Sequence, residues 1–288
     1  MAVEPPGIDG TAQPAGLRRR ARYSFFGARV NQLLGRRTAA QRWCRRALGF
    51  CDYTKAYRLL AQLELSGEHY FKVLGRVHQH VQPATYLEVG VSRGESLQLV
   101  GPETLALGID PQPRVGFELG PHQQVFAQTS DEFFARPDVP LLLLGRPLEM
   151  AFIDGMHHFE YALRDFINIE PLCAPDSLIF IHDCFPIDAR SAERDQTTAF
   201  WSGDVWRLLV LLKKYRPDLS IHTLAAPPTG LGLITGLNPR STLLRSRLPA
   251  LIAEGLALDF AAIAERRPEA LNLVPGDWPH VRQLLDAR

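Results

Sequence analysis

Five short polar stretches each follow an apolar run: Glu88-to-Gly94, Asp110, Ser130-Asp131, Asp154-to-His157 and His182-Asp183. Two carboxylates at neighbouring strand ends, Asp154 and Asp183, can hold a hard cation such as Mg²⁺ through their oxygens. Such a cation lowers the pKa of a bound hydroxyl. His157, three residues after Asp154, is the residue type whose near-neutral pKa suits proton removal. His182 adds a nitrogen donor, which tilts the set towards Mn²⁺, Fe²⁺ or Zn²⁺. Plainer readings stand beside these. Asp154 can cap the helix that starts near His157, His182 can be a satisfied strand-end histidine, and His158 can be a surface or capping residue.

The stretch Glu88-x-Gly90-x-x-x-Gly94-x-Ser96 suits ligand approach, because glycine lets a backbone turn tightly where a Cβ would clash. A helix starting after it would offer free N–H groups to a carboxylate or phosphate. Asp110 closes the next strand, where a carboxylate can accept both hydroxyls of a ribose. The glycine spacing is not GxGxxG, and an acidic residue precedes it. That disfavours NAD and favours a nucleoside bearing an amino acid. Alone, the glycine pair reads equally well as an ordinary strand–helix turn. A third polar cluster spans 188–206. In it Arg190 could fork onto an anionic group and Trp201 could stack on a substrate ring, while Trp206 reads as buried on the following helix.

These residues need elements to carry them. Apolar periodicity predicts strands over 85–89, 105–109, 124–127, 149–153, 177–181, 221–224 and 231–235. Helices are predicted over 94–100, from 130 (capped by Ser130 or Asp131), over 158–169 and over 205–214. Repeated β-α-β units imply a doubly wound, mostly parallel, seven-stranded α/β sheet. Its last strand is antiparallel, and helices are added at both ends. The domain reading is a disordered leader over 1–16, a helical cap over 17–82, the α/β domain over 83–238 and a helical tail over 239–288.

The chain has 288 residues and a net charge of +1, which hides an asymmetry. Residues 1–46 hold ten arginines against Glu4 and Asp9, a net +8, so the remainder is −7. A basic segment of this kind can meet an anionic partner or form a solvated helical face. The four cysteines match no metal or disulfide spacing, which suits a reducing compartment. No signal peptide and no apolar run long enough to span a bilayer is present. The expectation is a cytoplasmic protein, with a homodimer possible.

The motifs Tyr86-Leu-Glu-Val-Gly-Val-Ser-Arg-Gly-Glu-Ser96, Gly108-Ile-Asp-Pro111, Phe152-Ile-Asp-Gly-x-His157 and Ile181-His-Asp183 together resemble class I S-adenosylmethionine (SAM)-dependent methyltransferases. They are most similar to the metal-assisted O-methyltransferases of the macrocin and catechol types. The resemblance implies a Rossmann-like methyltransferase fold and a SAM site. Glu88 and Gly90 would line the methionine end of SAM, with Ser96 near its carboxylate and Gly94 in the same cofactor-binding loop. Asp110 would bind the ribose, and Ser130 and Asp131 would lie by the adenine. It further implies Asp154, His182 and Asp183 as ligands of a divalent cation, His157 as base, and a small-molecule acceptor such as a sugar or natural product. The sequence departs from the pattern where His182 replaces a carboxylate or alanine and Cys184 replaces asparagine. A metal-dependent hydroxylase on the same scaffold and a non-catalytic binding module are the alternatives.

Overall fold

The computed structural model describes residues 14–287, so the expected leader lies mostly outside the described residues. Ala15 and Gly16 are already helical. Four helices come first: α1 (Ala15–Leu33), α2 (Arg37–Leu48), α3 (Thr54–Glu64) and α4 (Tyr70–Val81). The α/β portion follows. It holds β1 (Thr85–Val89), β2 (Leu105–Ile109), β3 (Gln123–Phe126), α5 (Ser130–Phe134), α6 (Val139–Leu142), β4 (Leu148–Ile153), α7 (Phe159–Ile169), β5 (Cys173–His182), α8 (Trp206–Tyr215), β6 (Ser220–Leu224) and β7 (Leu231–Thr235). The tail holds α9 (Leu243–Ser246), α10 (Leu248–Ala257), α11 (Ala261–Ala264), α12 (Arg267–Ala270), β8 (Leu273–Val274) and α13 (Trp278–Asp286).

The sheet has eight strands in the order β3-β2-β1-β4-β5-β7-β6-β8, one more than the sequence predicts. Strands β1 to β5 are mutually parallel, and β7 is antiparallel to both β5 and β6. The eighth strand comes from the tail, where Leu273 and Val274 pair with Thr223 and Leu224. Two residues between turns carry no readable period, so this strand is set by tertiary pairing.

Central strands are apolar on both sides because both faces are covered. On one face Leu87, Leu107, Ala151 and Ile179 pack with Phe159 and Phe166 of α7 and Trp206 of α8. On the other, Tyr86, Ala106, Met150 and Phe152 pack with Val73 and Val77 of α4 and Val281 of α13. Helices from the chain's two ends thus supply a layer of the sandwich, and the packing limits of the α/β unit extend past residues 83 and 238. The cause is local. The helix expected over 94–100 shrinks to a single 3₁₀ turn, Leu97–Leu99. Gly94 is left-handed with φ +79°, which stops a helix starting before it. Gly101-Pro102 then ends what remains, since the residue before proline avoids helical geometry. Too few residues are left for an α-helix, and α4 and α13 cover the exposed strand faces instead.

Sheet order reverses between β1 and β4: β2 and β3 lie to one side, β5 to the other. In open α/β sheets that switch point makes the ligand crevice.

Candidate active site

A crevice of about 350 Å³ opens at this switch point. Its sheet side is lined by residues of the loop after β1 (Gly90 to Arg93, Glu95 and Ser96), by Asp154 and His157 after β4, and by His182 and Asp183 at the end of β5. Two glycines hold these loops together. A Cβ on Gly90, at φ +92°, would sit 2.0 Å from the Asp154 carbonyl oxygen. A Cβ on Gly203 would sit 1.9 Å from the His157 carbonyl oxygen. Backbone bonds then pin both ends of the 154–157 loop, with the Asp154 N–H donating to the Val89 carbonyl and the Asp204 N–H to that of His157.

The four ionisable groups converge. His182 Nδ1 lies 3.1 Å from Asp154 Oδ1 and 3.3 Å from Asp183 Oδ2. His157 Nε2 lies 3.0 Å from the same Asp183 oxygen. His182 Nδ1 is hydrogen-bonded to Asp154 Oδ1, whereas the approaches of His157 and His182 to Asp183 are poorly aligned, and buried Asp183 Oδ2 has no hydrogen bond of proper geometry. Asp183 holds φ +59°, a left-handed conformation that Asp tolerates better than most residues. Burial would push the His182 imidazole down, but Asp183 and Asp154 outweigh it and hold it at about 10. Burial would raise the Asp183 carboxyl, but His157 and His182 hold it below its ordinary value. Among the described residues, Asp154, His182 and Asp183 can present ligand atoms all within 4.8 Å of one another. An oxygen-rich, net-negative set with an unsatisfied buried carboxylate oxygen suits a divalent cation.

The plainer readings divide. Asp154 does not cap α7. Asp204 does so, its Oδ1 accepting the Phe159 N–H at 2.8 Å. His158 occupies the capping position without a side-chain cap bond, and its Nε2 lies 3.0 Å from the Arg194 carbonyl oxygen. Trp206 is buried.

The glycine loop behaves differently from its expectation. Glu88 is sealed below the crevice, accepting hydrogen bonds from Tyr86 Oη at 2.7 Å and Ser96 Oγ at 2.8 Å. Burial raises its carboxyl to about 8, against the lowering effect of those two bonds. Gly94 does not line the crevice either. Its missing Cβ makes room for the Phe117 ring. Asp110 acts from behind, accepting the Ser92 N–H at 2.8 Å and the Gln112 N–H at 2.7 Å. No helix start presents N–H groups here, because the helix is absent.

Ser130 and Asp131 do not join the crevice. Thr129, not Ser130 or Asp131, caps α5, in a reciprocal box with Glu132. One residue of displacement turns Asp131 outward onto Arg164, which donates to it at 2.9 and 2.8 Å. Arg190 is exposed and lies outside the crevice lining. Trp201 does line it, stacked on the His157 ring at 4.9 Å between centroids. Much of the remaining 188–204 loop is tied to itself and to α3 and α7. Arg194 binds Glu160 and Asp204, and Tyr57 Oη donates to Asp188 at 2.9 Å.

The opposite wall was not foreseen from sequence. It comes from the helical cap: Thr54 and Arg58 of α3, and Tyr70 and Phe71 of α4. Tyr70 stacks on His182 with centroids 3.9 Å apart. Thr229 Oγ1 lies 3.3 Å from His182 Nε2. The aromatic pair Tyr70-Phe71 at a helix start was the available signal, but it reads as ordinary core at helical spacing.

Residues 87–184 match a family model described as a methyltransferase domain, about a third of the chain. No curated protein matches the sequence. Among solved structures, similar folds include cofactor-bound Rv0187 from MTB, at 17% identity over 58% of this chain and 79% of that one, with TM-score 0.44. They also include the O-methyltransferase TomG of tomaymycin synthesis from Streptomyces achromogenes with SAM, at 16% identity, 59% and 80% coverage and TM-score 0.43. An O-methyltransferase from Bacillus cereus with SAH aligns at 13% identity, 57% and 79% coverage and TM-score 0.43. The matched segment spans β1 to β5 and contains both the glycine loop and the acidic cluster. Residues 87–184 are thus similar to a methyltransferase domain, carried on the parallel strands β1 to β5.

Proposed function

We propose that the protein transfers the methyl group of SAM to a hydroxyl of a small molecule, such as a sugar or natural product, with help from a divalent cation. The observation that carries this is the shared crevice, where the glycine-loop residues Gly90 and Ser96 face Asp154, His157, His182 and Asp183. Methyl transfer to oxygen needs a bound methyl donor beside a group that deprotonates the acceptor.

A divalent cation held by Asp154, His182 and Asp183 would lower the pKa of a bound hydroxyl. The chain's own residues prepare that step. Thr229 sits at Nε2 of His182, so Nδ1 faces the carboxylates. Tyr70 covers the other side of that ring and keeps water from it. His157 is held between Trp201 and Asp183, with its Nδ1 lacking a hydrogen-bond partner within the protein. A histidine fixed by a carboxylate and a stacking face can accept the acceptor's proton. Four buried free thiols suit a cytoplasmic setting. No helix among the described residues is long and apolar enough to cross a membrane.

Isothermal titration tests the donor site, with SAM and SAH expected to bind in the micromolar range. Asp154→Ala and Asp183→Ala should then abolish methyl transfer. Full activity in both variants would sink the metal-centred mechanism, and no SAM binding would sink the methyltransferase reading. Iron rather than magnesium or manganese copurifying would favour the hydroxylase alternative.

A further inference from the structure

Helix α1 carries two apolar faces, and only one is used. Ala21, Ser24 and Ala28 are buried. Gly27 lies so close to Trp43 of α2 that a Cβ would fall 2.8 Å from the indole. Elsewhere on the same helix, Tyr23, Phe26, Val30 and Leu33 are 65%, 70%, 38% and 80% exposed. Their spacing of three, four and three residues forms one stripe along the helix. At about 100° per residue, that stripe lies opposite the buried face. Arg18, Arg22 and Arg29 border it on one side and Arg20 on the other, with Arg19 inside it. Leu34, 58% exposed, extends the stripe into the turn before α2. Between residues 15 and 50 stand all ten arginines of the segment and not one acidic residue.

We infer that α1 is an interfacial helix that docks the protein on an anionic lipid surface. A helix with a bordered apolar stripe and a cationic margin lies in the headgroup plane, its apolar side chains down and its guanidinium groups on the phosphates. Charge selects this occupant over a second copy. Self-pairing along the stripe would set arginine against arginine, and the stripe spans too few heptads for a stable helical seam. A nucleic acid would satisfy the arginines but leave the aromatic and aliphatic side chains against a polyanion. The docking surface is separate from the methyl-transfer crevice, so its test does not depend on the chemistry there.

Flotation of the full chain with vesicles decides the matter. Expected is binding to vesicles of equimolar phosphatidylcholine and phosphatidylserine that weakens as salt rises, with little binding to pure phosphatidylcholine. Phe26→Glu/Leu33→Glu and Arg19→Ala/Arg22→Ala/Arg29→Ala should each cut it by about tenfold or more. All five side chains are exposed, so thermal melts of both variants should match the parent. Several results overturn the proposal: no flotation, equal binding to both vesicle types, or binding that only one of the two variants reduces. A dimer in sedimentation velocity that Phe26→Glu/Leu33→Glu dissolves would also overturn it, by assigning the stripe to a second copy.

Discussion

Strand β5 has an ionic cluster at each end, and the two are built on opposite rules. At its start, Arg216 is 2% exposed and fully complemented. Its two terminal nitrogens donate to Glu170 at 2.7 Å each, and Nε donates to Asp218 at 2.9 Å. Glu170 also accepts the Asn238 N–H at 3.1 Å. At its other end, Asp154, His157, His182 and Asp183 are equally crowded but only partly paired, with His182 hydrogen-bonded to Asp154 and Thr229. Asp183 Oδ2 and His157 Nδ1 are buried with no hydrogen bond within the protein. A buried charge left short of partners costs stability. The saturated cluster fits a purely structural role. The unsaturated one fits a site whose missing partners arrive with a ligand.

The contrast breaks most sharply under single substitutions. Asp183→Ala should lower methyl transfer by about 10²–10⁴-fold. It should also abolish Mn²⁺ binding by titration calorimetry and cost some stability, because His157 and His182 hold the Asp183 carboxyl below its ordinary pKa, so its charged form stabilises the fold. Unchanged Mn²⁺ affinity in Asp183→Ala would place this cluster with the structural one. Arg216→Ala should do the reverse. Stranding buried Glu170 should cost about 3–5 kcal/mol in urea unfolding, while SAM affinity of the folded fraction stays close to the parent's.

Which parts of this were readable from sequence follows from how local each signal is. The strands were legible because doubly covered strands are continuous apolar runs, and their polar ends announced Asp154, His157, His182 and Asp183. Glu88 and Asp110 stand at the ends of β1 and β2 as the apolar runs imply, but whether a side chain lines a crevice or braces its floor depends on neighbours such as Tyr86 and Ser92. The cap of α5 was misplaced by one residue because Ser130 and Asp131 are cap-forming types too. Only the reciprocal pair Thr129 and Glu132 distinguishes them. The roles of α4 and α13 as a layer of the sheet were illegible. An amphipathic helix has the same period wherever it packs, and Tyr70 gives no local hint that it will meet His182.

Glu88 offers a gentler test, because its pairing sits between the two extremes. Its carboxyl is fully buried, with two hydroxyl donors and no cation, and its pKa rises from 4.5 to about 8. The folded state therefore binds a proton that the unfolded chain releases first. Stability is fully present below about pH 4.5 and declines as pH rises towards 8. Glu88→Gln should remove that decline and leave the variant more stable than the parent at alkaline pH, by up to a few kcal/mol in urea melts. Parallel pH profiles for parent and variant would show that Glu88 is not the group responsible.

The smallest effect expected is at Trp201, which separates positioning from pairing inside the unsaturated cluster. Its indole stacks on His157, and its Nε1 donates to the Glu193 carbonyl. It touches neither carboxylate through a hydrogen bond. Trp201→Phe keeps a stacking face and loses the anchor, whereas Trp201→Ala loses both. If the stack only orients His157, kcat should fall by less than about tenfold in the alanine variant and recover in the phenylalanine one. Mn²⁺ affinity should not move in either. A drop in metal affinity would mean that the ring of His157, held by Trp201, governs how Asp183 meets the cation, and the two roles would then be one.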